Sequence, residues 1–179
     1  MKVKLDPQYA RALSFQDYSP QRCIEGVFAV ALKKHRALEG FFMEYLRLTG
    51  GKVETGDIDF EVRQISFAWA IPDRINAFHV HCKEVQDEFW TVVAGEMLVW
   101  LVDLRADSPT LGVKWRCLLG AEEPVLLHIP AGVAHGYKAG PAGALLVYAM
   151  NSQFNPADPN EGRLPWDHFG AELWEADRG

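Results

Sequence analysis

The chain has 179 residues, 49% of them apolar and 12% aromatic, which is enough for one sizeable core and unlike a disordered segment. Its 24 acidic residues against 18 basic ones give a net charge of −6, the opposite of the basic footprint that nucleic-acid binding requires. The longest apolar stretches, such as Ala144 to Met150, fall far short of the roughly 20 residues of a membrane span, and Met1 to Pro7 contain no secretory stretch. A cytoplasmic protein in contact with neither membrane nor nucleic acid is therefore expected. Cys23, Cys82 and Cys117 are scattered, with no CxxC pair, and read as reduced thiols.

In chain order, residues 1 to about 20 are polar and irregular. Ser19-Pro20 is able to cap a helix from Gln21 to Lys33, whereas Val27, Phe28, Val30 and Leu32 suit a strand, and periodicity leaves both open. From Asp59 onward the pattern is β. Short runs recur at Phe60–Trp69, Ala77–Cys82, Phe89–Val93, Met97–Val102, Val113–Leu119, Val125–Ile129 and Ala144–Tyr148. Turn signals separate them at Pro72-Asp73, Ala94-Gly95-Glu96, Asp107-Ser108-Pro109, Gly120 and Gly140-Pro141. The segment from Asn155 to Gly179 is rich in Pro, Asp and Glu, with Trp166 and Trp174 as anchors. Many short strands with regular turns predict an all-β sandwich or barrel, and no linker interrupts a single domain over 1–179 with its barrel core at about 58–150.

The chemistry concentrates in a few positions. His79 and His81 alternate along one run and face the same way on a strand. Glu88 follows His81 after six residues, Gly95 follows Glu88 after six more, and Pro130-Ala131-Gly132-Val133-Ala134-His135 supplies a third histidine behind a turn. Three histidines and a carboxylate form a ligand set for a divalent transition metal such as Fe, Mn, Ni or Zn. Each histidine alone reads as a structural residue; the combination is what points to a site. His35 and His168 read as surface residues and His128 as a packed one. Trp90, Trp100 and Trp115 suit either a pocket or core packing.

This combination resembles the signature of the cupin superfamily, HxH…E(x)6G with PxGxxH. From Ile24 to Trp174 the chain further resembles dTDP-4-dehydrorhamnose 3,5-epimerase. The matching stretches are Ile24 to Val27, Gly40 to Glu44, Val102 to Arg105, Ser108 to Gly112 and Ile129 to Tyr137. The resemblance implies a cupin jelly-roll barrel, a homodimer with exchanged N-terminal strands and a sugar-like ligand. It also implies His79 as the base beside a sugar ketone and Tyr148 as the acid on the opposite face.

Several of the family's positions differ here. The motif's arginine is Asn76, its glycine is Ala77, and its glutamine is His81. The enolate-stabilising lysine is Glu88, and an arginine of diphosphate binding is Glu39. The family's orienting carboxylate lies beyond Trp174, whereas this chain stops at Gly179. Since the changes to His81 and Glu88 both complete a metal set, the primary expectation is a metal-dependent epimerase-like enzyme. Its ligands are His79, His81, Glu88 and His135, and Asn76, Trp90, Trp100 and Tyr137 line its pocket. The alternatives are a metal-free 3,5-epimerase of dTDP-4-keto-6-deoxy sugars using His79 and Tyr148, a metal dioxygenase, and a non-catalytic sugar-binding cupin.

Overall fold

A computed structural model describes residues 3–176; the expectations resting on Met1, Lys2 and the end at Gly179 lie outside the described residues. A short helix, α1 (Pro7–Ala12), occupies part of the segment expected to be irregular. Asp6 caps it by accepting from the Gln8 amide at 2.8 Å, and Pro7 opens its first turn.

The strands follow in order. β1 (Phe28–Ala31), β2 (His35–Ala37), β3 (Gly40–Phe42), β4 (Leu48–Thr49) and β5 (Lys52–Val53) are short, and the longer β6 (Gln64–Ala70) and β7 (Ile75–Val80) come next. They lead into β8 (Glu88–Asp103), β9 (Lys114–Gly120), β10 (Val125–Ile129), β11 (Val133–Met150) and β12 (Gly162–Arg163), with a 3-10 turn at Ala171–Trp174. The open question at residues 20–33 resolves to strand. β1 pairs antiparallel with β10, Phe28 opposite His128.

Two of the expected turns do not interrupt strands. Ala94-Gly95-Glu96 lies inside the 16-residue β8, and Gly140-Pro141 lies inside the 18-residue β11. The two strands pair along their length, and the register slips between Ala139 and Ala144 and again between Leu145 and Leu146. At the slip a Cβ on Gly95 would stand 2.0 Å from the Gly143 carbonyl oxygen, a contact only glycine permits. The bulged bend sends the two halves of each strand to different neighbours. The first half of β8 pairs with β10, and its second half with β9. The first half of β11 pairs with β7, and its second half with β6. The result is the two facing layers of a jelly roll: β1-β10-β8-β11-β6 on one side and β9-β8-β11-β7-β12 on the other.

Side-chain alternation fills the space between the layers. Met97, Val99 and Leu101 of β8 meet Leu119, Leu127, Ile129, Leu146 and other buried residues in one cluster, each of these large side chains contributing about 1.5–3 kcal/mol on burial. The outward faces are covered as well. Phe89, Leu126 and Ala149 pack under Val53 and Phe60, while Phe78, Val102 and Ala134 pack under Trp174. Trp174 is thus the anchor expected of the C-terminal segment, its indole N–H donating to the carbonyl of the half-exposed Trp166 at 2.8 Å.

One buried charge pins the loop between β8 and β9. Asp103 is fully enclosed and accepts from Arg105 Nε and Nη2 at 2.8 Å and from the Ser108 and Thr110 hydroxyls at 2.6 Å. Burial alone would push its carboxyl up, but the Arg105 guanidinium and the two hydroxyls outweigh it and hold it below the ordinary range. A depressed folded-state value stabilises the fold above the unfolded pKa of about 4, and that stabilisation is lost as pH falls. Asp103→Asn is expected to cost about 3 kcal/mol in urea unfolding at pH 7. The gap to wild type should narrow as pH drops below about 4, and an equal gap at pH 3 and pH 7 would refute the ion-pair account.

Candidate functional site

The cavity between the two layers opens at one end into a pocket of about 440 Å³. Register brings its residues together. His79 on β7 lies opposite His135 on β11 and opposite Arg163 on β12, while Met150 lies opposite Glu88 and Tyr148 opposite Trp90. Asn76, His79, His81, Glu88, Trp90, His135, Tyr137 and Tyr148 all line it.

His81 falls one residue beyond β7, at the start of the six-residue loop to Glu88. Asn160 holds that loop. Its Oδ1 accepts from the amides of Cys82 at 3.1 Å and Lys83 at 2.8 Å, and its Nδ2 donates to the Glu84 carbonyl at 3.0 Å. The Asn160 backbone carbonyl meets His81 Nδ1. The loop also contributes Gln86, whose Oε1 accepts from Ser152 at 2.8 Å, so that its Nε2 donates to Glu88 Oε1 at 2.9 Å.

Glu88 is buried among donors. Trp90 Nε1 donates to its Oε2 at 2.6 Å, His81 Nε2 stands 3.1 Å from its Oε1, and His135 Nε2 stands 3.8 Å from its Oε2. Burial would push this carboxyl up, yet His81, His135 and Trp90 outweigh it and hold it at about 2. His81 is affected in the opposite sense. Burial disfavours its proton, but the Glu88 carboxylate and the Asn160 carbonyl prevail and its pKa is raised. His135 is lowered by its burial.

His79 is placed differently from the metal-ligand expectation. Among the described residues, His81, Glu88 and His135 bring ligand atoms within 4.8 Å of one another, and His79 is not part of that group. Its Nε2 lies 3.0 Å from Asn76 Oδ1 and its Nδ1 lies 3.4 Å from Glu161 Oε1, so both ring nitrogens have other neighbours. Burial, followed by the neighbouring His135 and Arg163, lowers its pKa to about 4.

Trp100 is also displaced from its expected role. It packs on the outer face with the Phe78–Trp174 cluster, and its Nε1 donates to the Leu173 carbonyl at 2.7 Å. Its odd-even position on β8 is the reason: Glu88 and Trp90 face inward before the bulge, and the register slip reverses that parity beyond it. Trp90 and Tyr137 do line the pocket, as does Asn76, whose Nδ2 donates to Tyr137 Oη at 3.4 Å. His128 is a packed residue, with Nδ1 on the Gly26 carbonyl at 2.7 Å and its ring stacked on Phe28 at 4.8 Å.

Glu161, Asn160, Arg163 and Gln86 are pocket residues that the sequence did not single out. They stand in the C-terminal segment and the His81–Glu88 loop, and no motif spacing marks them; only the pairing of β12 with β7 brings Glu161 and Arg163 to His79. Glu39 stands at the exposed tip between β2 and β3.

Opposed shifts of two histidines in one cavity give a direct test. In chelator-treated protein, a long-range ¹⁵N titration should find His79 neutral down to about pH 4 while His81 keeps its proton above pH 6.5. Both rings titrating together near 6.5 would refute the described contacts.

Comparison with known proteins places this pocket in context. A model of the dTDP-4-dehydrorhamnose 3,5-epimerase family matches residues 21–173. The chain is 39% identical over 145 residues to the spore coat polysaccharide biosynthesis protein SpsL of Bacillus subtilis, covering 80% of this chain and 91% of that protein. The crystal structure of dTDP-6-deoxy-D-glucose-3,5-epimerase RmlC from Legionella pneumophila, in complex with dTDP-4-keto-L-rhamnose, superposes with a TM-score of 0.72 at 25% identity, over 80% of this chain and 75% of that one. ChmJ, a 3′-monoepimerase from Streptomyces bikiniensis in complex with dTDP-quinovose, superposes with a TM-score of 0.70 at 26% identity, over 82% and 74% of the two chains.

Proposed function

The chain belongs to the dTDP-4-dehydrorhamnose 3,5-epimerase family, and we propose that it epimerises a 4-keto-6-deoxy sugar nucleotide with His79 as base and Tyr148 as acid. The family's members are isomerases, and the chain shares their jelly-roll fold. The observation that carries the reading is the placement of the two groups on opposite layers of one pocket. His79 comes from β7 in one layer and Tyr148 from the second half of β11 in the other, so they face a ligand from its two sides.

The protonation states suit these roles. A base must be unprotonated at neutral pH, and His79 is, with its pKa at about 4. Its neutral ring has one N–H. With that proton on Nδ1, toward Glu161, the lone pair sits on Nε2; the Asn76 side chain, whose Oδ1 faces that nitrogen at 3.0 Å, must turn its amide over for this tautomer to form. Glu161 therefore takes the part of the orienting carboxylate that the sequence assigned to the family's C-terminal segment. An acid must keep its proton, and burial with the nearby Glu88 charge raises Tyr148 above 10.

In the reaction, His79 Nε2 removes the proton from the carbon beside the ketone. The C–H electron pair moves into the carbon framework to form the enolate, and Tyr148 delivers its phenolic proton to the opposite face of that carbon. Substrate and product have the same composition, His79 returns its proton to solvent and Tyr148 regains one. Glu88 holds a negative charge of its own and does not stabilise the enolate. Within the pocket lining, Arg163 is the arginine cation available for that oxygen, and His81 joins it when its ring is protonated.

Incubation with a dTDP-4-keto-6-deoxy sugar in D₂O should exchange solvent deuterium into the ring. His79→Asn should slow exchange by about 10²- to 10⁴-fold, the usual contribution of a general base. Tyr148→Phe should retain wash-in from the His79 side yet yield no inverted product. Glu161→Gln should lower kcat about tenfold with little change in KM, because it acts through His79. Absence of exchange at high protein concentration would overturn the proposal.

We further propose that the protein works as a homodimer. β6 pairs with β11 alone among the described residues, and its outward side chains Ile65, Phe67 and Trp69 are 55%, 76% and 58% exposed. Such an apolar stripe on an open sheet edge suits a second copy of the same strand. Light scattering should give twice the chain mass for wild type and the chain mass for Phe67→Asp with Trp69→Glu. A monomeric wild type would overturn this.

A further inference from the structure

The cluster around Glu88 has features that proton transfer does not require. Both of its imidazoles are anchored through Nδ1 to backbone carbonyls, His81 to Asn160 and His135 to Val133 at 3.0 Å. That leaves both Nε2 atoms turned inward to the same carboxylate, His81 at 3.1 Å from Oε1 and His135 at 3.8 Å from Oε2. The carboxylate is fixed from behind by Trp90 Nε1 at 2.6 Å and Gln86 Nε2 at 2.9 Å. All three residues are buried, and all three line the pocket.

We infer that His81, Glu88 and His135 form a binding site for one divalent transition-metal ion, with His79 outside its coordination shell. Ligands held about 2.1 Å from a common ion are about 3.0–3.4 Å apart, and the three donor atoms, all within 4.8 Å of one another, have to draw together to that spacing when an ion binds. The outer contacts are those of a metal centre. Each imidazole donates its second N–H to a carbonyl, which fixes the tautomer with Nε2 as the ligand, and the carboxylate is oriented by two N–H donors. Gln86 Nε2 stands 3.2 Å from His81 Nε2 as well as 2.9 Å from Glu88 Oε1. Two imidazoles and one carboxylate with open positions suit Fe²⁺, Co²⁺, Ni²⁺ or Zn²⁺ in preference to Mg²⁺ or Ca²⁺.

Binding of the ion stands apart from the epimerase reading. Its use does rest on that reading: a cation here supplies positive charge beside the substrate carbonyl, at the position where the family resemblance implies a lysine and this chain has Glu88.

The test is titration of chelator-treated full-length protein with Co²⁺ and Zn²⁺, read by calorimetry, by Co²⁺ absorption and by elemental analysis after desalting. Wild type and His79→Asn are expected to retain about one ion per chain with similar affinity. Glu88→Gln and His81→Gln should each bind at least tenfold more weakly, with circular dichroism confirming that they fold. Wild type failing to retain either ion, Glu88→Gln binding as tightly as wild type, or His79→Asn losing the ion to the same degree as Glu88→Gln would each overturn the assignment. If Glu88→Gln does not fold, His81→Gln decides alone. Deuterium exchange by chelator-treated protein reports separately on the epimerase reading, so metal retention without exchange, or exchange without metal, identifies which of the two has failed.

Discussion

A carboxylate at 3% exposure carries a charge that must be matched locally, and the arrangement of the pocket follows from how Glu88 is matched. Stripping its proton is favourable only because Trp90, Gln86 and His81 surround its two oxygens. Each of those donors is in turn fixed by something else. Gln86 is turned by Ser152, and His81 is held by the carbonyl of Asn160. Asn160 also ties down the loop that separates His81 from Glu88. Removing one donor would leave an enclosed anion short of partners, which costs more than the lost hydrogen bond itself. The unusually long gap between the histidine and the glutamate is thereby explained, since the extra residues make the turn that Asn160 caps and that delivers Gln86.

The pocket depends equally on the bend in the two long strands. A straight β8 paired with a straight β11 would place Glu88 and Met97 in one flat sheet. The slip at Gly95 and Gly143 folds that pair over, so each strand contributes to both layers. Only then does the second half of β11 carry Tyr148 across from the histidine of β7. The close approach of Gly95 to the Gly143 carbonyl makes the bend a steric requirement for glycine, which is how a local backbone contact comes to set the placement of Tyr148 against His79.

Much of this was legible in the sequence. The alternating runs mark most of the longer strands in chain order, and the paired histidines, the glutamate and the PxGxxH turn mark residues that line one pocket. What misled was the assumption that a Gly-centred signal ends a strand. Ala94-Gly95-Glu96 and Gly140-Pro141 are bulges within continuous strands, and the change of parity across the first of them turns Trp100 away from the pocket it was expected to line. The separation of His79 from the other histidines was not readable from an HxH spacing, because it depends on Asn76 and Glu161. Glu161 in particular sits 82 residues from His79 in the sequence and reaches it through a two-residue strand, a contact that no local pattern announces.

The two histidines of the HxH pair have opposite fates for a single reason. Both are largely enclosed, and enclosure alone disfavours the imidazolium in each. His81 escapes that tendency because it touches the pocket's fully buried carboxylate at 3.1 Å, while His79 faces Glu161 at 3.4 Å, a carboxylate already shared with Arg163. A carboxylate neutralised by an arginine can orient an imidazole without charging it, and one enclosed among neutral donors cannot avoid charging its neighbour. Two residues apart at one strand end, the chain therefore has one imidazole with a lowered pKa and one with a raised pKa, which is the division the proposed proton abstraction needs between the group that takes the proton and the group that faces the resulting charge.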